Sequence, residues 1–319
     1  MLKSGQFDEV VFQQGGAVKT TIKFPHFDAE LNTNVCDPFN NAELTLILRL
    51  GFTQINPGAG AAEGTYHDYG DATSPTRRII RWTPGSWKAW KDNFCLSAQT
   101  FWNGKFWLIN DAQCFQFTGK DKVDYLPNIW CRMRIVGQEG TAADNHHTIS
   151  VVRLHASESW FGSHSTLYDS KDTSLVQKST DSAGNAVMQR AHVHEVGHLL
   201  GLGHVDIGKA HCPASGDTNA AACYGVADDD MNSVMGSGMQ LRLEHASPWR
   251  EAVRAFALGD MLARAAKGDG ASPLMSRMVV AGHSLFAVWP AKMKRHYPRT
   301  LAEAAAGTLL TSPPHRVGA

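Results

Sequence analysis

Residues His192 to Asp206 read HVHEVGHLLGLGHVD. Side chains four apart on an α-helix share a face, so His194 and His198 project together and can reach one metal ion. Glu195 stands one position on, beside that face. Gly201 falls where the helix has to stop, and glycine supplies the positive φ of a sharp turn. Such a turn swings His204 back toward the same ion as a third ligand. Three protein ligands leave the fourth position of a zinc ion open, as a catalytic site requires. His192 lies about 200° around the axis from His194, so it points away and reads as a packing or surface histidine.

The surrounding chain bounds the function classes. Its 319 residues supply ample apolar material for a core, and 30 Lys and Arg balance 30 Asp and Glu. A net charge of zero gives no overall field toward nucleic acid or an anionic membrane. Nothing approaches eighteen or so consecutive apolar residues, so no membrane-spanning helix is expected. The start, MLKSGQFDEVVFQQGG, has no apolar segment of the secretory-signal kind. The six cysteines (Cys36, Cys95, Cys114, Cys131, Cys212 and Cys223) form no CxxC pair. Cys212 and Cys223 bracket CPASGDTNAAAC, a segment with little apolar side chain to pack, and a disulfide between them is expected.

Hydrophobic periodicity places the other elements. VVFQ and KTTIKF read as short strands. ELTLILRLGFTQI (Glu43 to Ile55) reads as a strand buried on both faces. GAGAAEG reads as a loop and RRIIRW as a strand. Trp87, Trp90, Phe94, Ala98 and Phe101 recur at helical spacing, with Ser86 as N-cap and Gly104 past the end; the rival is a hairpin turning at Asn103-Gly104. KFWLIND, WCRMRIVG and HTISVVRLHA follow as strands, with Cys131, Met133 and Ile135 alternating inward against arginines. Trp160 to Ser170 reads as a short polar edge strand. From Ser179 the pattern predicts one long helix ending at Gly201, then loop to about Gly238. Ser247 to Ala266 reads as a helix, Ser247 its N-cap and Pro248 its first residue. From Lys267 the chain carries seven basic and two acidic residues and reads as a solvated extension or small cap.

HEVGHLLGLGH matches HExxHxxGxxH, and in this the chain resembles the metzincin zinc metallopeptidases. Members of that family carry a tight turn with a methionine under the metal, the Met-turn, shortly before a C-terminal helix. Here NSVMGSG, Asn232 to Gly238, resembles it, with Met235 as the methionine and Met231 and Met239 as alternatives. The resemblance implies an α+β fold: a twisted mixed β-sheet, an active-site helix carrying HExxH, a Met-turn and a C-terminal helix. It covers residues 43–266 as a catalytic domain, leaving 1–42 and 267–319 as extensions. The family's edge strand, which pairs with extended substrate, maps near Trp160 to Leu167. Some members ligate the metal with a tyrosine two residues after the methionine; Ser237 stands there, so no such ligand is expected. Val205 and Asp206 after the third histidine do not specify a subfamily. Asp228-Asp229-Asp230 lacks the spacing of a calcium loop and reads as solvated; calcium is without support from it.

The implied chemistry is hydrolysis of a peptide bond by a zinc-activated water, with His194, His198 and His204 on one zinc ion and Glu195 as general base. Gly201 and Met235 give structural support. A zinc amidase acting on peptidoglycan or another non-protein amide would use the same groups. A silent zinc-containing binding module would have no use for Glu195. Disulfides without a visible leader suit a secreted bacterial effector or toxin. Such a protein meets a protein or peptide substrate, and its further partners would be a secretion machine or an immunity protein.

Overall fold

The computed structural model describes residues 19–32, 42–109, 117–118, 124–125, 129–159, 165–266 and 286–289. The VVFQ stretch, residues 160–164, Cys36, Cys114 and most of the chain after Ala266 lie outside them. The fold is mixed α+β, with a mostly open, twisted sheet and few helices. In chain order the strands are β1 (Lys19–Lys23), β2 (Asp28–Asn32), β3 (Ala42–Ile55), β4 (Glu63–His67), β5 (Thr76–Ile80), β6 (Phe106–Ile109), β7 (Phe117–Thr118) and β8 (Asp124–Tyr125). Then come β9 (Ile129–Glu139), β10 (His147–Val152), β11 (Leu167–Asp169), β12 (Val176–Thr180), β13 (Ala186–Gln189) and β14 (Phe286–Val288). The helices are α1 (Pro84–Trp102), α2 (Ala191–Leu199), α3 (Asp228–Asn232) and α4 (Ser247–Ala266). The main sheet orders β1-β2-β3-β9-β6-β14, with β10 on β3 and β11 on β10. Two compact units divide the chain, and the division falls inside β3 after Ile47 and inside β9 after Arg134.

In the first unit, β2 lies antiparallel between β1 and the start of β3, with Leu31 opposite Leu44 and Ala29 opposite Leu46. All four side chains are buried, which is what alternation on a half-buried strand produces. β6 runs antiparallel to β9 and to β14. Cys131 and Met133 face inward from β9 while Arg132 stays near the surface, as expected. Helix α4 starts at Ser247 and is anchored by Trp249, fully buried against Phe106, with its indole N–H donating to the Arg132 carbonyl at 2.7 Å.

The second unit holds the motif. The rest of β3 pairs in parallel with β10, from Leu50 opposite His147 to Ile55 opposite Val152, and β10 pairs in parallel with β11. The sheet is therefore mixed. Helix α1 packs Trp87, Trp90, Phe94 and Ala98 inward, as the periodicity predicts. Phe94 meets Phe52 of β3 edge-on at 5.4 Å and Tyr168 of β11 at 5.2 Å.

Several expectations need correction. The cap of α1 is Thr83, not Ser86. Its hydroxyl accepts the Ser86 N–H, and the Ser86 hydroxyl accepts the Thr83 N–H in return, a capping box with Pro84 at the first helical position. GAGAAEG is a loop only as far as Ala62, because Glu63 opens β4 opposite Ile80. β11 is shorter than the edge strand expected from Trp160 to Ser170: it spans Leu167–Asp169, it pairs with β10, and Tyr168 and Asp169 are fully buried. The long helix from Ser179 is a hairpin, β12–β13, followed by a short α2. The Asp181 carboxylate accepts the N–H groups of Ala183 and Asn185, and Gly184 takes φ 84°. That local turn satisfies the backbone in place of a helical first turn.

Candidate metal centre

Helix α2 is nine residues long and almost wholly buried. His192 fixes it from behind: its Nδ1–H donates to the Asp172 carbonyl at 3.0 Å, and Nε2 meets the Ser97 hydroxyl of α1 at 2.6 Å. It is a packing histidine, held neutral because burial pushes its pKa down to about 4. The helix ends in a Schellman turn. Gly201 has φ 91°, its N–H donates to the His198 carbonyl at 2.8 Å, and the Leu202 N–H donates to the Gly197 carbonyl at 3.0 Å. This is the turn that the glycine predicts, and it returns the chain to bring His204 beside His198.

The three imidazoles converge. His198 Nε2 lies 3.0 Å from His194 Nε2 and 3.0 Å from His204 Nε2. Each ring is oriented by a backbone carbonyl on its other nitrogen: Val234 for His194 at 2.7 Å, Leu202 for His198 at 2.8 Å and Thr218 for His204 at 2.7 Å. A neutral imidazole has one N–H, and here each spends it on that carbonyl. Burial holds all three pKa values below the usual histidine range, that of His198 at about 4, so the rings are neutral. Three lone pairs then face one another with no proton between them. A cation satisfies that arrangement, and the three side chains could hold one metal ion. Among the described residues this is the one group of three or more His, Cys, Asp or Glu side chains able to hold a metal ion.

The turn carrying Met235 is tied to both arms of the cluster. The Val234 carbonyl receives His194, and the Met235 carbonyl accepts the Val205 N–H at 3.0 Å. Met235 is buried, whereas Met231 and Met239 are half-buried. Gln189, the last residue of β13, donates its side-chain amide to the Gly236 carbonyl at 2.8 Å and braces the same turn.

Glu195 is buried, and burial raises its carboxyl pKa to about 8 against the opposing charge of Lys178. Lys178 is the residue at which the β12–β13 register shifts, and a bulge of this kind re-aims a side chain.

The loop after His204 is more ordered than its composition suggests. Cys212 and Cys223 form the expected disulfide. Such a bond is compatible with an extracellular location. The carbonyl that orients His204 belongs to Thr218, inside the stapled segment. Asp206 is fully buried, with His211 at 2.7 Å and Lys209 at 2.5 Å. Burial alone would raise its pKa, but Lys209, the Val226 N–H and His211 bring it to about 2. The Asp228–Asp230 run is helix α3 and not a loop, with Asp229 exposed; Asp228 accepts the Ser182 N–H, and Asp230 pairs with Lys209 and Arg242.

Tyr224 has no counterpart in the sequence reading. Its ring centroid lies 3.9 Å from that of His204 and 5.7 Å from that of His194. Burial first, then the Glu195 and Asp217 carboxylates, push its phenol up to about 12. The only sequence signal for it is its place next to Cys223.

The chain matches no protein-family model, no curated protein and no solved structure. No helix among the described residues is long and apolar enough to cross a membrane.

Proposed function

We propose that the chain is a zinc-dependent endopeptidase of metzincin type. The observation that carries this is the convergence of three neutral imidazoles, each already committed to a carbonyl at Nδ1, with a buried carboxylate one residue after the first. A bound zinc ion supplies Lewis acidity and an acidified water at neutral pH. His194, His198 and His204 would hold the ion. Glu195 takes a proton from the attacking water and later delivers it to the leaving amine. Burial makes the carboxylate a stronger base, and the Lys178 charge together with a bound cation would hold it in the ionised form that accepts the proton. The turn at Met235 serves as the Met-turn, supporting His194 and the segment after His204. Delivery outside the cell as a secreted effector or toxin fits the disulfide.

The test is digestion of casein or gelatin by the zinc-loaded chain and by Glu195→Ala. Digestion by wild type alone, with equal zinc in both, is the expected result. Equal digestion by both would remove Glu195 from the chemistry. Zinc binding without any digestion by wild type would direct the reading to the amidase or the silent module.

A further inference from the structure

The hairpin that precedes α2 ends in Gln189, whose side chain reaches the turn that carries Met235. Residues 232–240 form a closed loop. Its base is sealed by the Val234 N–H on the Gln240 carbonyl at 2.9 Å and the Gln240 N–H on the Asn232 carbonyl at 2.8 Å. Its tip turns the carbonyls of alternate residues toward one point. There the Gln189 amide nitrogen lies 2.8 Å from the Gly236 oxygen, 3.2 Å from that of Gly238 and 3.4 Å from that of Val234. Carbonyl oxygens only accept, so the nitrogen end of the amide has to face them. Gln189 is 3% exposed, and Val234, Gly236 and Gly238 are buried with it. The same Val234 carbonyl accepts the His194 Nδ1–H at 2.7 Å. Gln189 Nε2 stands 3.4 Å from that Nδ1; both are donors, so they share an acceptor and do not bond to each other. One buried amide thus holds in place the oxygen that aims His194.

We infer that Gln189 is a positioning residue for the metal ion: it never touches the ion, and it sets affinity by clamping the 234–238 turn so that the Val234 carbonyl stays on His194 Nδ1. The inference rests on the metal centre of the reading above and not on hydrolysis. An outer contact that fixes a ligand ring is worth about 10- to 100-fold in metal affinity. A methionine at this position keeps the length and volume of the side chain but offers the carbonyls no donor, and a buried carbonyl deprived of its donor is costly enough to move the turn. The coupling is reciprocal. An amide that strengthens metal binding by a given factor is itself held more firmly by that factor once the metal is bound.

The test uses the full chain and cobalt(II), whose visible spectrum reports the ligand field without turnover. Cobalt affinity is measured by chelator competition in wild type, Gln189→Met and Leu154→Ala. Leu154 is buried in a cluster with Ile79 and Val152, so Leu154→Ala lowers stability through the core and serves as the control. Gln189→Met is expected to bind cobalt about 10- to 100-fold more weakly and to show a shifted visible band at saturation. Leu154→Ala is expected to melt at a lower temperature with wild-type affinity and band. Wild-type affinity in Gln189→Met would overturn the inference. So would a loss that Leu154→Ala shares, with the band unshifted, since Gln189 would then support only the fold. If Gln189→Met does not fold, proton exchange of the Gln189 side-chain amide in wild type decides by NMR: zinc is expected to slow it by about 10- to 100-fold, and an unchanged rate would overturn the inference. Wild type that binds cobalt but digests nothing overturns the peptidase reading alone. Wild type that binds no cobalt overturns both.

Discussion

His198 Nε2 faces His204 Nε2 at 3.0 Å while the Nδ1 atoms of both rings are engaged with backbone carbonyls. The contact cannot be an ordinary hydrogen bond between neutral rings, because neither Nε2 has a proton left to give. It is repulsive until a cation enters. The same relationship holds between His198 and His194, so binding of one ion relieves both pairs.

Gly201 makes that geometry reachable. At φ 91° and with open space around it, the position penalises a side chain through the backbone alone. Gly201→Ala is expected to lower stability by about 1–2 kcal/mol and to weaken zinc, since His204 follows the turn. Gly201→Asn should recover part of the loss, because asparagine tolerates this conformation better. Thermal melts and chelator competition on the two variants check both expectations. Equal behaviour of alanine and asparagine would contradict the backbone argument.

The disulfide is coupled to the proposed metal site through Thr218, whose carbonyl receives His204. Removing it by the double substitution Cys212→Ser and Cys223→Ser frees the segment whose carbonyl orients His204. Loss of such an outer contact weakens metal binding by about 10- to 100-fold, and loss of the cross-link costs about 2–5 kcal/mol. Zinc affinity measured under oxidising and reducing conditions should show the same drop in wild type and no redox dependence in the variant.

Asp230 gives a pH-dependent term with a definite sign. Hydrogen bonds from Lys209 first, then from Arg242, hold its carboxyl below the ordinary value of 3.8. A depressed folded-state pKa stabilises the fold above the unfolded value and loses that contribution as pH falls through the folded one. Asp230→Asn is therefore expected to cost about 1–2 kcal/mol at pH 7. The gap from wild type should narrow below about pH 4. Urea midpoints across pH 3 to 7 measure it, and a gap independent of pH would contradict the pairing.

Cys95 is expected to resist alkylation. Burial, then the Asp92 charge, raise its thiol to about 12 despite Lys91. Only the thiolate reacts, so iodoacetamide at pH 8 should modify it about 10³-fold more slowly than a free thiol. Peptide mapping separates it from the other cysteines, and rapid labelling of the native chain would show the site to be open.

The parts of this fold legible in the sequence are those with long periods. The run from Glu43 to Ile55, the aromatic stripe of α1 and the helix from Ser247 each extend far enough for their pattern to outweigh a rival, such as the hairpin at Asn103-Gly104 for α1. The convergence of His194, His198 and His204 was legible because helix geometry fixes a spacing of four and the glycine turn fixes the return. The hairpin before α2 was not. AVMQ offers four alternating residues, too few to outweigh a helix-like neighbourhood, and its turn depends on one carboxylate, Asp181, capping its own loop. The carbonyls of Val234, Leu202 and Thr218 carry no side-chain signature at all. Tyr224 lies twenty or so residues past His204 along a chain with no period, and only tertiary folding brings it to the ring.

The most direct measurement is the zinc content of the purified chain by elemental analysis, alongside His198→Ala. The account predicts one zinc per chain in wild type and a loss of more than about 100-fold in affinity in the variant. Wild type free of zinc, after purification without chelators and with zinc supplied, would contradict it.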